Sequence, residues 1–354
     1  MVRKVYVTDC EGPLTLDDNA FELAAKFIED GDKLFKIISA FDDYLVDVVK
    51  QENYHAGDTL KLIVPFFKLV GLKNKDLVEY SKANIHTVPG VQQIFDIQDK
   101  SLKSFIISTS YGQYIKALCE YIDFPFENTY YTSLDISVTT ENIGSELKRV
   151  EEFRKIILQH GSGSEEDNKI LYDIFFNEIP KMEIAKIIDS VKTVGGKGKE
   201  LALRDIVNKC DLVGDKNAIM YVGDSITDSE ALAFASESEG IAISFNGNEY
   251  AINSADIAVI SDNAIMTAII RDLFIKYDRE TILKFAREYF EKGYESAFDY
   301  YEVDSTLVEN FEKLYQGKNI PVMDVVTDEN KDYLTKLSKE MRVKIRGDDI
   351  GGLG

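Results

Sequence analysis

Tryptophan is missing from this chain, and histidine, cysteine and proline are scarce: three, three and six among 354 residues. Each shortage closes off a reading. Cys10, Cys119 and Cys210 form no Cys-x-x-Cys pair, which argues against a disulfide framework or a zinc site and suits a reducing cytoplasm. His55, His86 and His160 are scattered and read as surface or satisfied histidines rather than metal ligands. Positive charge is also short. Lys and Arg number 41 against 62 Asp and Glu, a formal net charge of −21. A field of that sign disfavours nucleic acid and anionic membranes as partners. It does not exclude a phosphorylated substrate, because a metal ion and a few local lysines invert the field inside a site. Long hydrophobic runs are absent as well. The longest, Leu60 to Leu72, is interrupted by Lys61, Pro65 and Lys68 and is too short to span a bilayer. The first strand pattern begins within the opening residues, so no signal peptide is expected ahead of it.

What is present is a 45% hydrophobic chain long enough for a sizeable core and two or three domains. Short apolar runs end at Thr8, Ser108 and Val222, with further runs at 240–245 and 256–260. Helical periodicity separates them: Phe21, Leu23, Ala24, Phe27 and Ile28, then Tyr44, Leu45, Val48 and Val49, then Leu60, Ile63, Val64 and Phe67. This alternation predicts an α/β fold with a Rossmann-like parallel sheet covered on both faces. The expected division is a core of 1–15, 88–132 and 195–280, a helical cap at 16–87, a second helical insertion at 133–194, and a helical C-terminal extension at 281–354. The Gly161-Ser162-Gly163-Ser164 stretch reads as a connector, and the tail with Gly351, Gly352 and Gly354 as frayed.

Chemistry concentrates where apolar runs stop. Asp9 and Glu11 follow the first run, and strand alternation would put both on one face. A carboxylate nucleophile beside a proton-shuttling carboxylate suits phosphoryl transfer through an aspartyl-phosphate. Asp224 closes another run after Gly223, with Asp228 one turn later; capping of the next helix accounts for only one of these acids. Ser108, with Thr109 and Ser110 behind it, offers hydroxyls and backbone N–H groups to phosphoryl oxygens. Lys197 and Lys199 stand in Gly195-Gly196-Lys197-Gly198-Lys199-Glu200. Neither lysine is followed by Ser or Thr, so this is no P-loop, but either ammonium would neutralise a nucleophile and a phosphate. Asn246-Gly247-Asn248 reads as a tight turn after a strand, or as a border of the metal site.

Taken in order, these residues resemble the motifs of the haloacid dehalogenase (HAD) superfamily. Asp9-Cys10-Glu11-Gly12 resembles its first motif, Ile106-Ile107-Ser108 its second, Lys199 (with Lys197 as the alternative) its third, and Gly223-Asp224 with Asp228 its fourth. Val88-Pro89-Gly90-Val91 resembles the turn by which members re-enter the core after a cap. The resemblance implies an Mg2+-dependent phosphohydrolase acting on a small phosphorylated metabolite. Asp9 would be nucleophile and metal ligand. The Glu11 carbonyl, Asp224 and Asp228 would complete the Mg2+ site, and Ser108, Thr109 and Lys199 would hold the phosphoryl group. Glu11 departs from the usual second aspartate by one methylene, which keeps open a second reading: a low-activity binding or regulatory subunit. Asp9-Cys10-Glu11-Gly12-Pro13, Ile107-Ser108-Thr109-Ser110-Tyr111 and the segment from Phe245 to Ala251 look most like a small archaeal branch. Some of its members are labelled subunit R of energy-converting hydrogenase A, which implies a hydrogenase complex as protein partner. No cluster ligands and no membrane segment in the sequence add to that implication.

Overall fold

Seven strands form one sheet: β1 (Lys4–Thr8), β2 (Leu102–Tyr111), β3 (Thr129–Thr132), β4 (Ile219–Gly223), β5 (Ile241–Phe245), β6 (Ile257–Ile260) and β7 (Val322–Val325). The computed structural model describes residues 2–137 and 143–351, so Gly352 and Gly354 of the expected frayed tail lie outside the described residues. The order across the sheet is β3-β2-β1-β4-β5-β6-β7, parallel except for the β6–β7 pair. The fold is therefore α/β with a Rossmann-like sheet. β1 is central, with Val5 beside Lys103 of β2 and Ile219 of β4.

Strand alternation sorts the core into two faces. Val5, Val7, Phe105, Ile107 and Tyr221 pack on one side with the helices at Lys197–Lys209 and Ser229–Glu237. Tyr6, Ile106, Met220 and Val222 face the other side, against the helices at Gly112–Ile122 and Ile265–Lys276. The C-terminal region is not purely helical. It contributes β7, and its helices at Arg279–Lys292, Tyr294–Tyr300 and Ser305–Tyr315 enclose an aromatic group with Phe298 between Phe285 and Phe311. Tyr289 and Tyr301 are buried in this group, while Tyr300 is exposed. A last helix, Lys331–Gly351, kinked at Gly347 (φ 77°), runs from the β6 edge towards the cap.

The described residues of segments 16–87 and 133–194 occupy one helical layer. Leu34, Ile38, Phe41, Phe66 and Phe67 from the first share a single hydrophobic cluster with Val150, Phe153, Ile157, Phe175 and Ile187 from the second. Phe41 stacks on Phe175 at 6.0 Å, and Phe66 meets Phe175 edge-on at 6.5 Å. Neither segment could bury these rings alone. The layer joins the core through Thr15 and Thr87, which bridge, and through Gly195, where an added Cβ would lie 2.2 Å from the Ala56 carbonyl oxygen.

One shared core makes a direct prediction. Phe153→Ala removes a fully packed ring and should cost about 3–5 kcal/mol. Hydrogen exchange should then show lost protection in the helix at Gly31–Tyr44 as well as around residue 153; loss confined to the second segment would contradict a common core.

Candidate active site at the carboxyl edge of β1 and β4

The tips of β1 and β4 lie side by side, and each strand is followed by an aspartate. Asp9 N donates to the Val222 carbonyl at 2.8 Å, which ties the residue after β1 to the end of β4. Asp9, Asp224 and Asp228 are all buried and offer carboxylate oxygens within 4.8 Å of one another. Lys199, fully buried, places its ammonium 2.8 Å from Asp9 Oδ2 and 2.8 Å from Asp228 Oδ1. One cation thus bridges two of the three acids. Burial alone would lower the Lys199 ammonium, but Asp228 and Asp9 more than offset it and hold the group above its usual range. Burial, reinforced by the charge of Asp228, pushes Asp9 above the ordinary carboxylate range against the pull of Lys199.

Each acid has a distinct environment. Asp9 Oδ1 accepts the Cys10 N–H at 2.7 Å. Asp228 is fully engaged: Oδ1 also accepts the Tyr221 hydroxyl at 2.8 Å, and Oδ2 accepts the N–H groups of Asp224 (3.1 Å) and Ser225 (3.2 Å). It fixes Lys199 and the loop after β4, and it presents less open coordination than the expected metal ligand role suggests. Asp224 faces Gly12, whose φ of +100° and missing side chain are both required: a Cβ there would lie 2.2 Å from Asp224 Oδ2. At Gly223 an added Cβ would lie 2.5 Å from Asp228 Cβ, so a side chain is excluded there too.

Glu11 differs from the sequence expectation. β1 stops at Thr8, so strand alternation does not extend to residue 11. The Glu11 carboxylate turns instead to the first cap helix (Asn19–Phe27) and accepts the Asn19 N–H at 2.8 Å. Burial and then the neighbouring Asp18 raise it well above the ordinary glutamate range. Ser108 does not end its strand, since β2 continues to Tyr111; its buried Oγ accepts the Ser110 N–H at 3.1 Å. Thr109 lines the site, and its Oγ1 is buried with no hydrogen-bond partner among the described residues. Of the two lysine candidates, Lys199 meets Asp9; Lys197 is half exposed and pairs with Glu200. Asn248 N donates to the Asp224 carbonyl at 2.8 Å, so the Asn246–Asn248 turn buttresses the loop after β4.

A cavity of about 120 Å³ opens between these residues and the cap, lined by Asp9, Glu11, Thr109, Asp224 and Thr227 below and by Asp18, Asp42 and Asp43 above. Lys61, Lys68, Lys73 and Lys75 of the 16–87 segment do not line it. Two arginines do. Arg342 and Arg346, one turn apart on the last helix, both reach Asp224 Oδ2, Arg346 at 3.4 Å. Sequence reasoning missed them; their i, i+4 spacing on one helix face was the only signal, and it looks like ordinary surface charge.

No family model matches the chain, and no curated protein does. Among solved structures it is similar to gene product AF1437 from Archaeoglobus fulgidus, at 29% identity over 99% of both chains, with a TM-score of 0.77. Two phosphoserine phosphatase structures, one a phospho-aspartyl intermediate analogue and one an apo form, align at 14% and 13% identity. They cover 73% and 74% of this chain, and 93% and 95% of their own, with TM-scores of 0.46 and 0.43. Similarity at that level leaves activity and substrate to be argued from the site.

The Lys199 bridge can be tested by stability. Lys199→Met strips the cation from two buried carboxylates and should destabilise the fold by about 3–5 kcal/mol at pH 7 in urea titrations. Asp9 is already held above the ordinary carboxylate range, and without the ammonium it binds its proton still more tightly folded than unfolded, so the deficit should shrink as pH falls and grow as pH rises. A deficit that widens in acid would contradict the arrangement.

Proposed function

We propose that the chain is a HAD-like phosphohydrolase that hydrolyses a small phosphorylated metabolite through an aspartyl-phosphate on Asp9. The observation that carries this reading is the buried Asp9–Lys199–Asp228 bridge set against Asp224 at the tips of two adjacent parallel strands, where α/β sheets place ligands. A packed structural triad would need no cavity; this one opens into a cavity lined by the unpartnered Thr109 hydroxyl.

The donor set fits Mg2+: hard carboxylate oxygens from Asp9 and Asp224, with room for phosphate oxygens and the Glu11 carbonyl. Bound there, the ion would neutralise charge on the phosphoryl group and on the crowded acids. The chain's own residues do the rest. Lys199 and the Cys10 N–H orient the Asp9 carboxylate so that one oxygen attacks phosphorus. As the aspartyl–phosphorus bond forms, the bond to the leaving alkoxide breaks, and Glu11, whose raised pKa keeps a proton available, protonates that oxygen. Glu11 then takes a proton from water, which attacks phosphorus, releases orthophosphate and restores Asp9. The Thr109 hydroxyl and the Ser108 segment supply phosphoryl contacts. Because the Glu11 carboxylate is held by Asn19 at the start of the cap, cap movement and proton transfer are joined.

A second reading, a binding or regulatory subunit with little turnover, is favoured by the arginines on Asp224 and by the attachment of Glu11 to Asn19. A partner such as a hydrogenase complex belongs to that reading and rests on resemblance alone.

Hydrolysis of p-nitrophenyl phosphate separates the two. We expect Mg2+-dependent turnover that falls by about a thousandfold or more in Asp9→Asn. Beryllofluoride binding without turnover would favour the subunit. For the proton shuttle, Glu11→Gln should lower kcat by about 10²–10⁴-fold; an unchanged kcat would remove Glu11 from that role.

A further inference from the structure

The last helix enters the site from a region that the four motifs leave out. It is fastened to the core along its length. Ser338 Oγ donates to the Gly247 carbonyl at 2.6 Å, and Arg346 donates to the Leu16 carbonyl (Nε, 3.1 Å) and the Asp17 carbonyl (Nη2, 2.8 Å). Its end reaches the cap, where Ile350 packs on the cap cluster and Lys36 pairs with Asp349 at 2.5 Å. Between these attachments Arg342, buried, lays its guanidinium on Asp224, donating to the main-chain carbonyl at 3.0 Å and to the carboxylate.

Charge decides what this placement means. The described cavity wall carries Asp9, Glu11, Asp18, Asp42, Asp43 and Asp224, and its cations are Arg342 and Arg346. A phosphoryl dianion entering such a wall meets strong repulsion unless cations face it. Lys199 approaches Asp9 from the Asp228 side. Arg342 lies on Asp224, the third acid of the cluster. A guanidinium is the side chain best shaped for phosphate oxygens, which it meets with paired N–H donors.

The rest of the geometry indicates which group moves. Asp224 is held against Gly12 and by the Asn248 and Asp228 contacts to its backbone. Arg346 is bolted to two carbonyls across the cap entrance. The contacts of Arg342 include the Asp224 carboxylate itself, so a cation that takes that carboxylate would loosen its hold on the guanidinium.

Resting on the phosphohydrolase reading, we propose that Arg342 is a substrate-contacting residue: the last helix delivers its guanidinium to the phosphoryl oxygens, and Arg342 exchanges Asp224 for them when a divalent cation takes that carboxylate. The helix is then an integral wall of the active site, and Arg346 is a positioning residue that anchors it at the cap entrance.

The test is calorimetric titration of the full chain with beryllofluoride in the presence of Mg2+, and with Mg2+ alone. We expect Arg342→Gln to weaken beryllofluoride binding about tenfold or more. Binding of Mg2+ should be unchanged or tighter, because a competing cation has been removed from Asp224. Arg342→Lys keeps the charge without the fork and should fall between the two. It also serves if the glutamine variant does not fold, and wild-type beryllofluoride affinity in a folded Arg342→Lys would overturn the proposal. So would beryllofluoride binding within twofold of wild type in Arg342→Gln, while leaving the phosphohydrolase reading standing. A wild-type chain that binds neither Mg2+ nor beryllofluoride would overturn both.

Discussion

Three carboxylates buried within a few ångströms of each other are the constraint around which this molecule is organised. Asp9, Asp224 and Asp228 have almost no exposed surface, and carboxylates so buried repel one another strongly. The chain answers with Lys199 between two of them, with the Tyr221 hydroxyl and two N–H groups on Asp228, and with two arginines on Asp224. Each answer comes from a different part of the sequence, so the site is where the whole fold is brought together. The strands deliver the acids, the helix before β4 delivers the lysine, and the final helix delivers the guanidinium groups.

Glycine does the matching work on the steric side. Gly12 and Gly223 stand where a methyl group would collide with Asp224 and Asp228. Their absence of side chain lets backbone and carboxylate approach closely enough for the acids to converge. The same crowding keeps the cavity small, and the helical layer closes over it with both hydrocarbon, from Phe35 and Leu60, and hydrogen-bonding groups. Asp42, for instance, accepts the Gly57 N–H at 3.0 Å at the cavity's upper rim.

Much of this was legible in the chain. Apolar runs ending in Asp9 and Gly223-Asp224 marked two buried parallel strands, because a strand covered on both faces must be continuously apolar and its charge can appear only where it ends. Helical spacing marked the helices between residues 19 and 83. What escaped was long-range. That residues 16–87 and 133–194 share one core depends on which rings meet, Phe41 with Phe175, and periodicity carries no such information. β7 was hidden because Val322–Val325 is a four-residue edge strand amid helices. Glu11 was placed by an alternation that ends three residues too early, and Lys199 was preferred to Lys197 on resemblance alone, before Glu200 was seen to hold Lys197 and Asp9 to meet Lys199. Arg342 and Arg346 carried no motif at all.

The position of β1 also bears on how the chain reaches its native state. β1 is the first strand of the sequence yet lies in the middle of the sheet, with Val5 between Lys103 and Ile219. During synthesis its second edge stays unpaired until β4 has emerged, and the pairing then closes a very long loop. Such high contact order slows folding and prolongs the exposure of an aggregation-prone apolar segment. Asp9 and Asp224, meeting only in that late event, would make the ordering of their shared pocket a sensitive reporter of completed folding.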